Sequence, residues 1–178
     1  LGMHVLPIPL GFGWMPFNVR GLLSKIVSER PDKDGRMVPC ETWDNAILAC
    51  EVEAAEGRFP MILSTKRIAP GEANTWFIRV LGTRFSAEFT TKYPRTLRTL
   101  SYEPGGPQSW QVTDLGHESA YPTTTGGIFE FGFPDAILQM WAAYLDELVH
   151  GSDMQQPLGC ATPQETVLHH RGLSAALE

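Results

Sequence analysis

Cysteine is scarce in this 178-residue chain: only Cys40, Cys50 and Cys160 are present. Three widely spaced thiols with no CxxC pair exclude a disulfide framework and give no ligand spacing that would nucleate a zinc site. They read as reduced thiols in a cytoplasmic protein. Positive charge is also short, 14 Lys and Arg against 20 Asp and Glu for a net charge of −6. The basic residues form no stripe, which argues against nucleic acid or an acidic membrane as partner. No apolar run reaches the ~20 residues that a membrane-spanning helix needs. The opening "LGMHVLPIPLGFGW" is broken by Pro7 and Pro9 and lacks the basic leader of a signal peptide. Phosphate-loop and nucleophile-elbow motifs are missing: no GxGxxG opens a strand–helix unit, and there is no GxxxxGK[ST] or GxSxG. "YEPGGPQ" (102–108) is a turn, because its prolines remove amide donors and no helix follows.

What is present is strand pattern. "NAILACEVE" (45–53) puts Ala46, Leu48, Cys50 and Val52 on one face. "WFIRV" (76–80) does the same for Trp76, Ile78 and Val80. "FSAEF" (85–89) sets Phe85, Ala87 and Phe89 opposite Ser86 and Glu88. This period-two alternation is that of half-covered antiparallel strands. Further strands are expected near 18–29, 59–68, 96–102 and 108–113, separated by the turn-rich pieces "RPDKDG", "AEGR", "APGEAN" and "EPGGPQ". The short connections favour a meander over βαβ units.

Helices come last. In "FPDAILQMWAAYLDELVHG" (133–151), Ile137, Trp141, Tyr144, Leu145 and Leu148 form one apolar stripe, Pro134 suits the first turn and Gly151 the end. At "TPQE" (162–165) Thr162 caps, Pro163 takes the first helical position and Glu165 closes a capping box. The expected fold is α+β, an open and largely antiparallel sheet with helices on one face, in a single domain over 1–178. Leu177-Glu178 reads as a tag remnant without functional weight.

The candidate chemistry is sparse. His4 is either a structural histidine beside apolar neighbours or a chemical one. Asp114 and His117, in "DLGH", are a loop pair. His169 and His170 point in different directions on a helix and are expected on a solvated face. Lys66 and Arg67 end a strand and either bind an anion or hydroxyl groups or simply solvate that end. The five tryptophans could stack on sugars but more commonly fill cores and interfaces.

Taken together, "PCETWDNAILACEVEAAEGRFPMILSTKR" (39–67), "LSTKRIAPGEANTWFIRVLGTRFSAEF" (63–89) and "GGIFEFGFPDAILQMWAAYLDELVHG" (126–151) resemble the C-terminal domain of the glucose–fructose oxidoreductase / inositol dehydrogenase / rhizopine-catabolism family (Gfo/Idh/MocA) of NAD(P)-dependent oxidoreductases. The resemblance implies an enzyme of two parts. A Rossmann half, with its glycine-rich turn and Glu-Lys-Pro motif, would bind NAD or NADP and is absent here, so no cofactor is expected on this chain. The C-terminal half would contact a sugar, inositol or related polyol and form a homo-oligomer through its open sheet face. The family's D-x-x-x-H motif matches "LGMH" at x-G-x-H, which implies an active-site role for His4, with the aspartate one residue before Leu1. Lys66, Asn74 and Trp76 are the candidate substrate contacts because they flank the strand–loop–strand of 63–80. The sequence departs from the family at Phe85, where glycine is common, and at Pro7 and Pro9, where a regular helix usually continues.

A histidine suits the implied chemistry. Its unperturbed pKa of about 6.5 lets it take a hydroxyl proton at neutral pH, and a carboxylate neighbour can orient it. Two other readings compete: a freestanding, non-catalytic sugar-binding or assembly module, and a hydrolase using Asp114 and His117, for which no nucleophile motif is present.

Overall fold

The computed structural model describes residues 4–55, 57–116, 119–154 and 159–177. It resolves into two units. One comprises the residues up to Gly71 together with those from Ala161 onward; the other is Glu72–Cys160. The α+β class holds, and every described strand pairing is antiparallel, distributed over three open sheets.

In the first unit β4 (Asn45–Ala54) is the central strand, paired with β1 (Met15–Ser24) on one side and β5 (Gly57–Lys66) on the other. Its alternation places Leu48, Cys50 and Val52 on the buried face, as the spacing predicts. Leu6, Leu48, Cys50 and Leu63 make the core, with Val5, Leu10, Val19, Leu23, Met61 and Leu173 packed around it. The Cys50 thiol donates to the Met61 carbonyl at 3.3 Å, and burial pushes its pKa up. The β1–β4 register slips between Phe17 and Arg20, where Asn18 adopts a left-handed φ of 56°. An asparagine tolerates this conformation, and a bulge there twists the strand. β2 (Glu29–Pro31) and β3 (Met37–Pro39) form a separate ribbon whose turn is held by Asp32, which accepts from the Asp34 and Arg36 amides.

Two helices belong to this unit. α1 (Pro7–Gly11) is only five residues long. Both prolines fall in its first turn, where the amides have no intrahelical partner, so they are tolerated. α3 (Pro163–Ala175) begins as expected: Thr162 Oγ1 accepts from the Glu165 amide at 3.2 Å, and Glu165 Oε2 accepts from the Thr162 amide at 2.7 Å. It packs on β1 and α1. The approach is close: a Cβ on Gly21 would lie 2.7 Å from the Ala176 carbonyl oxygen, and one on Gly172 would touch Leu6. This docking overturns the expectation for the "HHR" segment. His169 lies on the packed face and is 4% exposed, its Nε2 without a partner among the described residues, while His170 stays exposed.

The second unit is a meander, β6 (Phe77–Leu81), β7 (Phe85–Thr90), β8 (Thr96–Ser101) and β9 (Gln111–Asp114), followed by α2 (Phe133–His150) and a 3-10 turn at Gly151–Asp153. On β7 the alternation is right but the polar side is the more buried one: Glu88 is 7% and Ser86 8% exposed, whereas Phe85 is 54% exposed. The reason is electrostatic. Glu88 stands directly across from Arg79 on one strand and Arg98 on the other, with ion pairs of 2.6 and 2.8 Å, and the two guanidinium side chains cover it. Arg98 in turn stacks over Trp110. α2 has the expected stripe, yet Ile137, Trp141, Tyr144, Leu145 and Leu148 are all exposed and the buried residue of the helix is Asp146. Among the described residues no helix is long and apolar enough to cross a membrane.

Leu48 is buried in the core with Leu6, Cys50 and Leu63, so Leu48→Ala should lower the unfolding free energy by about 2–5 kcal/mol. Urea denaturation checks this, and a shifted midpoint at unchanged slope is the expected form of the result.

Candidate functional site

Three strand ends of the first unit meet at Asp44. Its carboxylate accepts from the amides of Ile26 (2.9 and 3.0 Å) and Val27 (2.8 Å), just beyond β1. Its own amide donates to the Ser24 carbonyl at 3.2 Å, and its carbonyl accepts from the Arg67 amide at 2.8 Å, just beyond β5. Those backbone amides hold the carboxyl below its ordinary pKa, with Arg30 adding a smaller pull.

Beside Asp44 opens a cavity of about 360 Å³ with an apolar floor of Leu6, Leu48 and Leu63 and a rim of Trp43, Thr65 and Arg67. The Lys25 ammonium sits over the Trp43 ring, 5.6 Å from its centroid. The floor begins one residue after His4, since Val5 also lines the cavity, whereas His4 itself is exposed just ahead of α1. Thr65 and Arg67 bracket Lys66. Strand alternation therefore turns Lys66, paired with Asn45, to the opposite face of the sheet. Arg67 is the cation at the rim.

The remaining candidates lie in the second unit. Asn74 is exposed at a positive φ of 52°, in the loop before β6. Trp76 is fixed by its backbone: its amide donates to Thr91 Oγ1 at 2.9 Å and its carbonyl accepts from the Thr91 amide at 3.0 Å. Neither residue lines the cavity beside Asp44. Asp114 pairs with Arg95 (2.9 and 3.1 Å). His117, its proposed partner in the hydrolase reading, lies outside the described residues.

Sequence reasoning missed Asp44, which reads as an ordinary turn residue ahead of a strand; "TWD" followed by alternation is its only signal. Among the described residues no group of three His, Cys, Asp or Glu side chains is placed to hold a metal ion. Among the described residues the antiparallel sheets also offer no strand–turn–helix crossover of the kind that cradles a dinucleotide pyrophosphate.

The fold is shared with oxidoreductases. An oxidoreductase domain protein from Kribbella flavida superposes with a TM-score of 0.75 at 17% identity, covering 99% of this chain and 46% of that one. An oxidoreductase from Sinorhizobium meliloti gives 0.75 and 17%, with 99% and 48% covered. Levoglucosan dehydrogenase in complex with NADH and L-sorbose gives 0.72 and 16%, with 99% and 46% covered. The chain thus spans about half the length of the structures it matches. No protein-family model and no curated protein matches the sequence.

Asp44→Asn tests the strand-end hub. A carboxyl held low in the folded state contributes stability above its unfolded pKa of about 3.9 and loses that contribution as pH falls through the folded value. The variant should melt several degrees lower at neutral pH. The gap should narrow between about pH 5 and pH 2, as followed by thermal denaturation.

Proposed function

We propose that the chain is the C-terminal, substrate-binding and oligomerisation domain of a Gfo/Idh/MocA-type NAD(P)-dependent oxidoreductase acting on a sugar, inositol or related polyol. The observation that carries this reading is the match of 99% of the chain to just under half of oxidoreductases, one of them bound to NADH and L-sorbose. The residues described do not fit a nicotinamide nucleotide, so the cofactor, which would accept hydride, belongs to a separate Rossmann half. In this reading His4 takes the proton of a substrate hydroxyl. Its exposure ahead of α1, next to the cavity whose rim carries Trp43 and Arg67, supports that role. Arg67, at the rim of that cavity, is the proposed substrate contact there; Lys66, on the other face of the sheet, and Asn74 and Trp76, in the second unit, are not assigned to it.

The proposed self-association uses the outer face of the first sheet. There Leu22 stands opposite Ile47, with Ile62 one strand further. Leu22 and Ile62 are 70% and 72% exposed. Bare apolar patches of this kind mark interfaces.

The 178-residue chain should bind neither NADH nor NADPH in calorimetric titration; tight binding would overturn the division of labour. Joined to its Rossmann half, the His4→Ala enzyme should lose about 10²–10⁴-fold in kcat, as expected for removal of a general base. Unchanged turnover would remove His4 from the reaction.

Ile62→Glu should convert the chain to a monomer in light scattering without altering its circular dichroism. An oligomer of undiminished size would move the interface elsewhere.

A further inference from the structure

In the second unit the loop 119–131 is clasped to α2. The Tyr121 amide donates to Gln139 Oε1 and the Tyr121 carbonyl accepts from Gln139 Nε2, both at 2.8 Å, and the Tyr121 hydroxyl donates to Asp146 Oδ2 at 2.8 Å. The charged groups around the cavity that this loop borders are engaged too: Glu130 with Arg95, and Asp135 with the Gly132 amide. The cavity beside Asp44 in the first unit is of another kind.

That cavity is open because small side chains fall where large ones would close it. Across the sheet Ala46 stands between Leu23 and Thr65, and in the next row on the same face Leu48 stands between Gly21 and Leu63. On the helix side, Leu173 of α3 and Ala176 just beyond it line the space. Its volume of about 360 Å³ is more than twice the ~150 Å³ of an apolar cavity that admits benzene, and it falls within the ~300–1,000 Å³ of ligand pockets.

The lining divides by chemistry. The floor is hydrocarbon: Val5, Leu6, Leu23, Leu48, Leu63 and Leu173. A polyol ring pressed into it would leave hydroxyls unpaired against carbon, which is costly, whereas an alkyl chain there leaves water at no such cost. The rim is polar, and its uncommitted charge is positive. The Asp44 carboxylate is 5% exposed, and its oxygens already accept from the Ile26 and Val27 amides and from Asn45 Nδ2. Arg67 is exposed and makes no ion pair among the described residues. The Lys25 ammonium, over the Trp43 ring, brings a second cation to the rim. A guanidinium fork matches the two oxygens of a carboxylate.

We propose that this cavity binds an unbranched aliphatic monocarboxylate of about six to ten carbons, its chain on the leucine floor and its carboxylate on Arg67 at the rim. The proposal goes beyond the oxidoreductase reading and does not rest on it: a polyol presented to His4 lies at the rim, outside the floor.

The test is a titration of the 178-residue chain, labelled at its leucine methyl groups, with octanoate below its micelle concentration at neutral pH. The methyl resonances of Leu48 and Leu63 are the readout, and 1-octanol, octylamine and acetate are the comparisons. Saturable shifts of both residues are expected with octanoate and none with acetate. Affinity should rise about threefold per methylene from hexanoate to octanoate, and octanol and octylamine should bind about tenfold more weakly than octanoate. Arg67→Gln, a change at an exposed side chain that keeps the backbone amide, should weaken octanoate about tenfold and leave octanol unchanged. Ala46→Leu, checked for folding by circular dichroism, should fill the space and abolish both. Leu48 and Leu63 resonances that octanoate does not move overturn the proposal. So does octanol or octylamine binding as tightly as octanoate, or Arg67→Gln binding octanoate as tightly as wild type. Shifts confined to Leu22 would place the acid on the outer face of the sheet and overturn it equally. Neither nicotinamide binding nor turnover enters this readout, so the two readings fail separately.

Discussion

The first unit depends on one buried carboxylate. Strands β1, β4 and β5 are stitched along their lengths by ladder bonds, but at one end of the sheet the chain must leave β1, enter β4 and exit β5 within a few ångströms. Asp44 does this with four groups at once: side-chain oxygens on two amides past β1, its amide on Ser24, and its carbonyl on the amide past β5. An aspartate is short enough to reach adjacent amides without leaving its own backbone, and charge-assisted bonds of this type are stronger than neutral ones. The cavity with Trp43 and Arg67 at its rim exists because those strand ends are held apart and in register. The reading of this region as a substrate platform therefore rests on a residue that need not touch substrate.

The second unit is organised by polar contacts to an unusual degree. Glu88 between two arginines holds the middle of the meander, and Asp146 between Tyr121 and His150 holds the loop to α2. Covering the buried Glu88 carboxylate with two half-exposed guanidinium groups adds less net stability than two ion pairs suggest, because desolvation offsets attraction, but removing a partner leaves a buried charge less compensated. The apolar stripe of α2 contributes little burial in this chain. This is why the unit's most buried side chains include carboxylates.

Strand positions were legible in the sequence because alternation has period two regardless of what covers a face. β4, β6 and β7 fall within a residue of the quoted stretches, and both long helices start at their proline signals. Which face is covered was less legible. For β4 the apolar side is the buried side. For β7 it is Glu88 and Ser86, for α2 it is Asp146, and on α3 it is His169. Burial is set by the neighbour, and apart from His150, one helical turn from Asp146, the neighbours (Arg79 and Arg98, Tyr121, β1 and α1) lie on other elements, where the element's own period does not report them. The site was legible only in outline. Lys66 and Arg67 drew notice together as strand-end cations, of which Arg67 lies at the cavity rim, whereas Asp44 and the Tyr121 clasp act through backbone amides that carry no residue signature.

The close seating of α3 against Gly21 and Leu6 has a consequence for how the protein is made. The first unit is discontinuous: its three-stranded sheet is complete by Lys66, but the helix that seals Leu6 and Leu173 into the core comes after the whole of the second unit. On the ribosome, the second unit is synthesised and can settle while the first still lacks its last covering element. The early sheet must wait, half-covered, until α3 emerges, and this places its exposure to misassembly in the interval between β5 and α3.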